Sequence, residues 1–336
     1  MARTRKKRQG ASSSISAATA VKRWVGKQFS ARGQVLTKLL CWCVFLAAIL
    51  VGGAAALTAM ERHARTVRTA EGPVKYTVQL EPTPNWMPTT LGRFILSDVT
   101  PQGLAFDDPA LGRTLHEKAT KNPWIAHVME IRRERLSAAE GVIRVRAQYR
   151  QPIARVAKDG RMYYVDNEGV LLPYSQTPKF AAREADDVKY FLHRDAVPVH
   201  LQPVRIHYIA LEGVEAAPPK TGCAWEGEDL LQGLRLVRLL STRPWANQVS
   251  VVDVRNHARR ISESEPELCI YAQQGRGKPT EIRFGRFPHP DGGDWVISPA
   301  RKMQYLDDYV QDQNGRLAGV HSYIDVRFDE LRVSLN

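Results

Sequence analysis

Residues 39–60 read LLCWCVFLAAILVGGAAALTAM, 22 positions without a charged side chain, closed off by Lys38 before them and by Glu61 and Arg62 after. As a helix rising about 1.5 Å per residue, the run is about 33 Å long, enough for a hydrocarbon layer of about 30 Å. It predicts one membrane-spanning helix. Its small residues Ala54, Ala55 and Ala56 resemble the end of a cleaved signal peptide. Against that reading, 38 residues precede the run, and it exceeds the usual signal core of about 7–15 residues. The expectation is an uncleaved anchor.

The anchor sorts the charge. Of the formal net charge of +13, ten units lie in residues 1–38, which hold ten Lys or Arg and no acid, leaving +3 for everything that follows. This Ser- and Ala-rich tail has too few large apolar residues to fold alone, and it reads as a disordered basic segment in contact with anionic lipid. Only Trp24 and Phe29 accompany its basic residues, without a nucleic-acid motif, so no nucleic-acid partner is expected. Near the span the flanks almost balance: Lys22, Arg23, Lys27, Arg32 and Lys38 before it, Arg62, Arg65, Arg68 and Lys75 after. The whole tail, ten cations against four, favours a cytoplasmic N-terminus and an extracytoplasmic bulk.

With 336 residues, the chain has room for about two folded domains beyond the anchor. Residues 61–73 read as a linker. Tyr76, Val78 and Leu80 then alternate with polar neighbours, the period of a half-buried strand. Residues 81–100 are rich in Pro and Thr, and these patterns assign them no element of either kind. Asp108 followed by Pro109 marks a helix start, Leu111, Leu115 and Ala119 continue it, and Asn122-Pro123 ends it. Strands follow at 128–133 and 142–149, then at 153–156, 162–165 and 170–172, the last two joined by the turn Asp166-Asn167-Glu168-Gly169. Further strands are expected at 204–211, 249–254, 268–272, 281–284, 323–328 and 331–335. Helices are expected around Leu230, Leu234, Val237 and Leu240, and from Ser298-Pro299 through Met303, Leu306 and Val310. No internal repeat is evident. The pattern is α+β: a small domain at 74–152 and a mostly antiparallel β domain with flanking helices at 153–336.

Catalytic signals are missing. The chain has no nucleophile elbow, phosphate loop, paired-cysteine motif or HExxH. His193, His200 and His207 recur every seven residues, but Pro198 and Pro203 forbid the helix that would align them. The pairs Asp107-Asp108, Asp186-Asp187 and Asp307-Asp308 point apart on any regular element. Residues 275–278 (Gly-Arg-Gly-Lys) form a basic turn without phosphate-loop spacing. Cys223 and Cys269 read as two buried free thiols, with a disulfide as the alternative. No enzyme, metal, cofactor or small-molecule substrate is expected.

Five elements in order resemble the FtsQ/DivIB family of bacterial cell-division proteins. They are Pro123-Trp124 at a helix end, the basic strand Ile131-Arg132-Arg133, the strand Ile143-Arg144-Val145-Arg146, the close Gln151-Pro152-Ile153-Ala154, and Tyr164-Val165-Asp166-Asn167-Glu168-Gly169. Later stretches are also similar: Ile282 to Arg286, the helix from Lys302 to Tyr309, and the aspartate-x-arginine strand Ile324-Asp325-Val326-Arg327-Phe328. The resemblance implies a polypeptide-transport-associated (POTRA) domain at 74–152 and a β domain at 153–335. It further implies an inner-membrane, single-pass scaffold that recruits partners of the FtsB–FtsL kind by strand addition at Tyr323, Ile324, Asp325, Val326, Arg327 and Phe328, supported by Lys302 and Tyr305. The alternative is a membrane-tethered POTRA module serving secretion or envelope assembly. Localisation at mid-cell separates the two.

Overall fold

The structure, a computed structural model, describes residues 39–63, 74–273, 275, 277–289 and 296–334. It forms two units, Met1–Gly72 and Pro73–Asn336. The expected basic tail, most of the expected linker and part of the basic turn at 275–278 lie outside the described residues.

In the first unit, α1 (Leu39–His63) has 25 residues and a mean hydropathy of 2.4 in its most apolar stretch, with none of it covered by protein. By length and composition it can cross a membrane. It runs three residues past the expected end because Glu61 and Arg62 are good helix formers that leave the helical pattern intact.

The second unit begins with a three-stranded module: β1 (Lys75–Glu81), α2 (Thr89–Val99), α3 (Pro109–Lys121), β2 (Ile125–Arg135) and β3 (Glu140–Tyr149). The central strand β3 pairs parallel with β1 and antiparallel with β2. Helix α2 occupies the stretch 81–100 that the sequence patterns leave unassigned. Pro82, Pro84 and Pro88 all precede its first turn, where they interrupt no helical bond, and Pro88 is its extended N-cap residue. Beyond them Leu91, Ile95 and Val99 recur every four residues and are buried in one cluster with Leu111, Leu115 and Ala119 of α3 and Ile143, Val145 and Ala147 of β3. At the start of α3, the Asp108 carboxylate accepts the Ala110 N–H at 2.7 Å, as expected of a cap.

The remaining strands are β4 (Ala154–Lys158), β5 (Arg161–Val165), β6 (Leu171–Leu172), β7 (Phe180–Glu184), β8 (Asp187–Phe191), β9 (Val204–Arg205), β10 (Ile209–Glu212), β11 (Val249–Asp253), β12 (Leu268–Ala272), β13 (Thr280–Gly285), β14 (Tyr323–Asp325) and β15 (Arg332–Val333). Nine of them make one sheet in the order β15-β14-β13-β12-β11-β10-β4-β5-β6, while β8-β7-β9 form a separate small sheet. The large sheet is mostly antiparallel, with parallel pairs at β4/β10, β10/β11 and β13/β14. The expected single strand at 204–211 is broken into β9 and β10, which belong to different sheets. Between them the His207 ring bonds the Val249 carbonyl at 2.6 Å, and Tyr208 Oη donates to the Pro178 carbonyl at 2.9 Å. The hairpin β7–β8 had no expected counterpart.

Helix α4 (Glu228–Ser241) follows β10, and α5 (Pro299–Asp312) follows β13. Leu230, Leu234, Val237 and Leu240 of α4 join Met303, Leu306, Tyr309 and Val310 of α5 in the core beneath the sheet. The pairing exposes a repeat that the sequence hides. Each of β10–α4–β11–β12 and β13–α5–β14–β15 is a strand, a helix, a parallel neighbour of that strand, and then an antiparallel strand. Both contain Asp-Val-Arg starting on the last residue of the second strand (253–255 and 325–327) and a positive-φ glycine at or just past the end of the first (Gly213 and Gly285). Both arginines bond the aspartate two residues back, Arg255 to Asp253 at 2.5 Å and Arg327 to Asp325 at 2.7 Å.

Candidate functional site

Most of the residues singled out in the sequence gather at two places. The first is the junction between the small module and the large sheet. Trp124 is fully buried, its Nε1 donates to Gln176 Oε1 at 2.8 Å, and Trp86 lies 6.3 Å from its ring. Pro123 packs within reach of Gly222, and Pro152 is buried where the two modules meet. The buried Asp166 carboxylate accepts the N–H groups of Glu168 (2.9 Å) and Val170 (2.8 Å) and the Arg150 guanidinium (2.6 Å). Gly169 has φ +79, and a Cβ there would meet Leu230 at 3.3 Å, so the turn requires glycine. These residues therefore fasten one module to the other. Arg132 and Arg133 stay outside the junction: Arg132 bonds Glu130 at 2.8 Å, and Arg133 donates to the Phe106 carbonyl at 3.1 Å.

The second place is the far end of the large sheet, which brings together Tyr323, Ile324, Asp325, Val326, Arg327, Phe328, Lys302 and Tyr305. Ile324 and Val326 are core residues. Asp325 is buried and holds Arg327 by two guanidinium nitrogens, Nε at 3.0 Å and Nη2 at 2.7 Å, a fork that fixes both side chains. Gly285, with φ +80, lets Arg327 pass; a Cβ there would sit 2.9 Å from the arginine Cγ. Arg283 stacks over Tyr323 at 4.6 Å, and Arg332 stacks over Phe328 at 3.9 Å. Tyr305 Oη donates to the Asp329 carbonyl.

Lys302 is 1% exposed. Its ammonium donates to the carbonyls of Phe284 (2.7 Å) and Arg286 (3.0 Å) and lies 4.4 Å over the Phe284 ring. Burial first, and then the nearby Arg327, lower its pKa to about 8. It stands at the back of a cavity of about 170 Å³ that Arg259, Arg286 and Arg327 share with Glu263, Glu265 and Glu267.

One expectation fails here. Residues 323–328 do not present an open edge, because Tyr323–Asp325 pairs with β13 on one side and with β15 on the other, and the Val326 N–H donates to the Arg283 carbonyl at 3.2 Å. The chain turns after Phe328 and returns, with Leu331 and Val333 packed against the core. The edge passes to β15. Ser334 N–H donates to the Tyr323 carbonyl at 3.1 Å, its Oγ accepts the Ser322 N–H at 2.9 Å, and the His321 ring bonds its carbonyl at 2.9 Å. Strand alternation then turns the N–H and C=O of Val333 outward, where no strand meets them among the described residues. The opposite edge is covered: Leu171 exchanges main-chain bonds with Cys223 (3.0 Å) and Gly222 (2.8 Å).

The cysteines part company. Cys269 is buried, as expected, and burial raises its pKa to about 12, whereas Cys223 is exposed, contrary to expectation, because it lies in the loop that covers β6. Compared with known proteins, the chain matches no protein-family model and no curated protein at a significant level.

Proposed function

We propose that this protein is a non-enzymatic, membrane-anchored scaffold of the bacterial cell-division machinery that captures partner proteins of the FtsB–FtsL kind by strand addition. In this reading α1 sits in the inner membrane with the basic tail in the cytoplasm, the three-stranded module is a POTRA domain, and the folded unit lies outside the cytoplasm. The observation that carries the proposal is the open outer edge of β15 at the end of the large sheet. Main-chain groups at such an edge give affinity to an extended partner, while the flanking side chains select it.

The repeat supports the same edge. Strand β12 holds in the first unit the place that β15 holds in the second, and the outer side of β12 is filled by the antiparallel strand β13. A partner strand running antiparallel to β15 would complete the second unit in the same way. Phe328 and Arg332 lie beside that position, and Arg327, stacked on Phe328, also lines the charged cavity at whose back Lys302 stands.

The test is localisation of a fluorescent fusion of the full chain, alone and with Val333→Pro. Proline removes an N–H that faces outward and leaves the Ser334 bond to β14 in place. Mid-cell enrichment with loss of partner recovery in the variant supports the proposal. A uniform envelope signal from the unaltered protein would favour secretion or envelope assembly instead.

A further inference from the structure

The small sheet β8-β7-β9 stands apart from the proposed docking edge, and its outer strand β8 is a second open edge. The β7/β8 ladder runs without a register shift from Phe180↔Phe191 to Glu184↔Asp187. The Phe191 carbonyl turns inward and accepts the Lys179 N–H at 3.0 Å, so alternation turns the main-chain groups of Val188 and Tyr190 outward. No main-chain partner meets them among the described residues. The strand has no proline and no bulge, two devices that commonly blunt an edge.

Its charges are self-complementary about one residue. In an antiparallel pair of two β8 strands with a two-fold axis through Val188, Val188 faces Val188, and each Asp187 faces the Lys189 of the other copy. Such directly opposed unlike charges stabilise an antiparallel ladder. Moving the axis to Lys189 sets ammonium against ammonium, and moving it to Tyr190 leaves Asp187 and Lys189 without each other. Only the first register uses both the outward main chain and the charges. We propose that β8 is a self-association surface, through which two copies of this chain join their small sheets into one six-stranded sheet centred on Val188.

The Lys189 ammonium also bonds Glu184 within its own hairpin, so a single charge reversal could disturb the hairpin as well as the contact. Mixing resolves this. The full chain in detergent, carrying Asp187→Lys, Lys189→Asp or neither, is studied by sedimentation equilibrium. Each variant alone should dimerise at least about tenfold more weakly than the unaltered chain, because both cross-copy pairs become repulsive. An equimolar mixture of the two variants should recover dimers, because every facing pair is then Asp against Lys. A monomeric unaltered chain, unchanged dimerisation of the single variants, or no recovery on mixing would each overturn the proposal. None of these outcomes depends on docking at β15.

Discussion

Replacing Lys302 by methionine should remove a pH dependence of stability that the unaltered protein carries between neutral and alkaline pH. The ammonium is buried against two carbonyls and the Phe284 ring with Arg327 nearby, and its pKa falls from an ordinary 10.5 to about 8. A lowered pKa on a base means that the folded state binds this proton less well than the unfolded chain. Below pH 8 both states are protonated and folding carries the full cost of the buried charge. As pH rises from 8 towards 10.5, the unfolded chain still holds the proton that the fold has released, so stability increases. At 1.36 kcal/mol per pKa unit, the cost at pH 7 is about 3 kcal/mol, and most of it is relieved by pH 10. Other groups titrate in this window, so the quantity to measure is the difference between the unaltered protein and Lys302→Met in urea unfolding followed by tryptophan fluorescence. That difference should shift by about 2–3 kcal/mol in favour of the unaltered protein between pH 7 and pH 10. A difference that stays constant within about 0.5 kcal/mol would refute the reasoning, since Lys302 would then titrate alike in both states.

Asp166→Ala leaves the Glu168 and Val170 N–H groups without their acceptor and Arg150 with Glu168 as its remaining carboxylate, and should cost about 2–3 kcal/mol in the same unfolding assay. Gly285→Ala forces an L residue into φ +80 and pushes a methyl to 2.9 Å from Arg327, so it should cost about 1–3 kcal/mol and accelerate amide exchange in β14. Arg132→Ala removes only an exposed pair with Glu130 and should change stability by less than about 1 kcal/mol, which thermal unfolding would register.

Much of the fold was legible because local rules and tertiary packing agree. Asp108-Pro109 starts α3, Asp166 to Gly169 makes the turn before β6, and Ser298-Pro299 opens α5 with the Ser298 hydroxyl accepting the Arg301 N–H at 3.2 Å. The apolar helix α1 was clearest of all, since nothing but length and apolarity defines it. Helix α2 was hidden by prolines that lie outside its turns, and the break between β9 and β10 was hidden because Val204, Ile206 and Ile209 read as one apolar run.

At the candidate site the sequence pointed to β14, which is paired on both sides, and not to the edge strand β15. Tyr323 to Phe328 carries the apolar alternation of a strand, but alternation says nothing about which side is already paired. That is decided by Leu331 and Val333 folding back. The signal that could have located the site is the second Asp-Val-Arg at 253–255. Matched with 325–327, it reveals the repeated unit and with it the position of β15. The pair is inconspicuous in the sequence because the two repeated units share little beyond these three residues and one glycine.

The central claim is that the outer edge of β15 receives a partner strand, and the most direct test is site-specific photo-crosslinking in dividing cells. A photoreactive residue at Arg332, beside the open edge, should capture a discrete partner. The same probe at Arg155, which lies on β4 between Tyr164 of β5 and Ala210 of β10, should capture none. Val333→Pro should abolish capture from position 332 while membrane insertion is retained. Equal capture from both positions, or capture that survives Val333→Pro undiminished, would contradict docking at this edge.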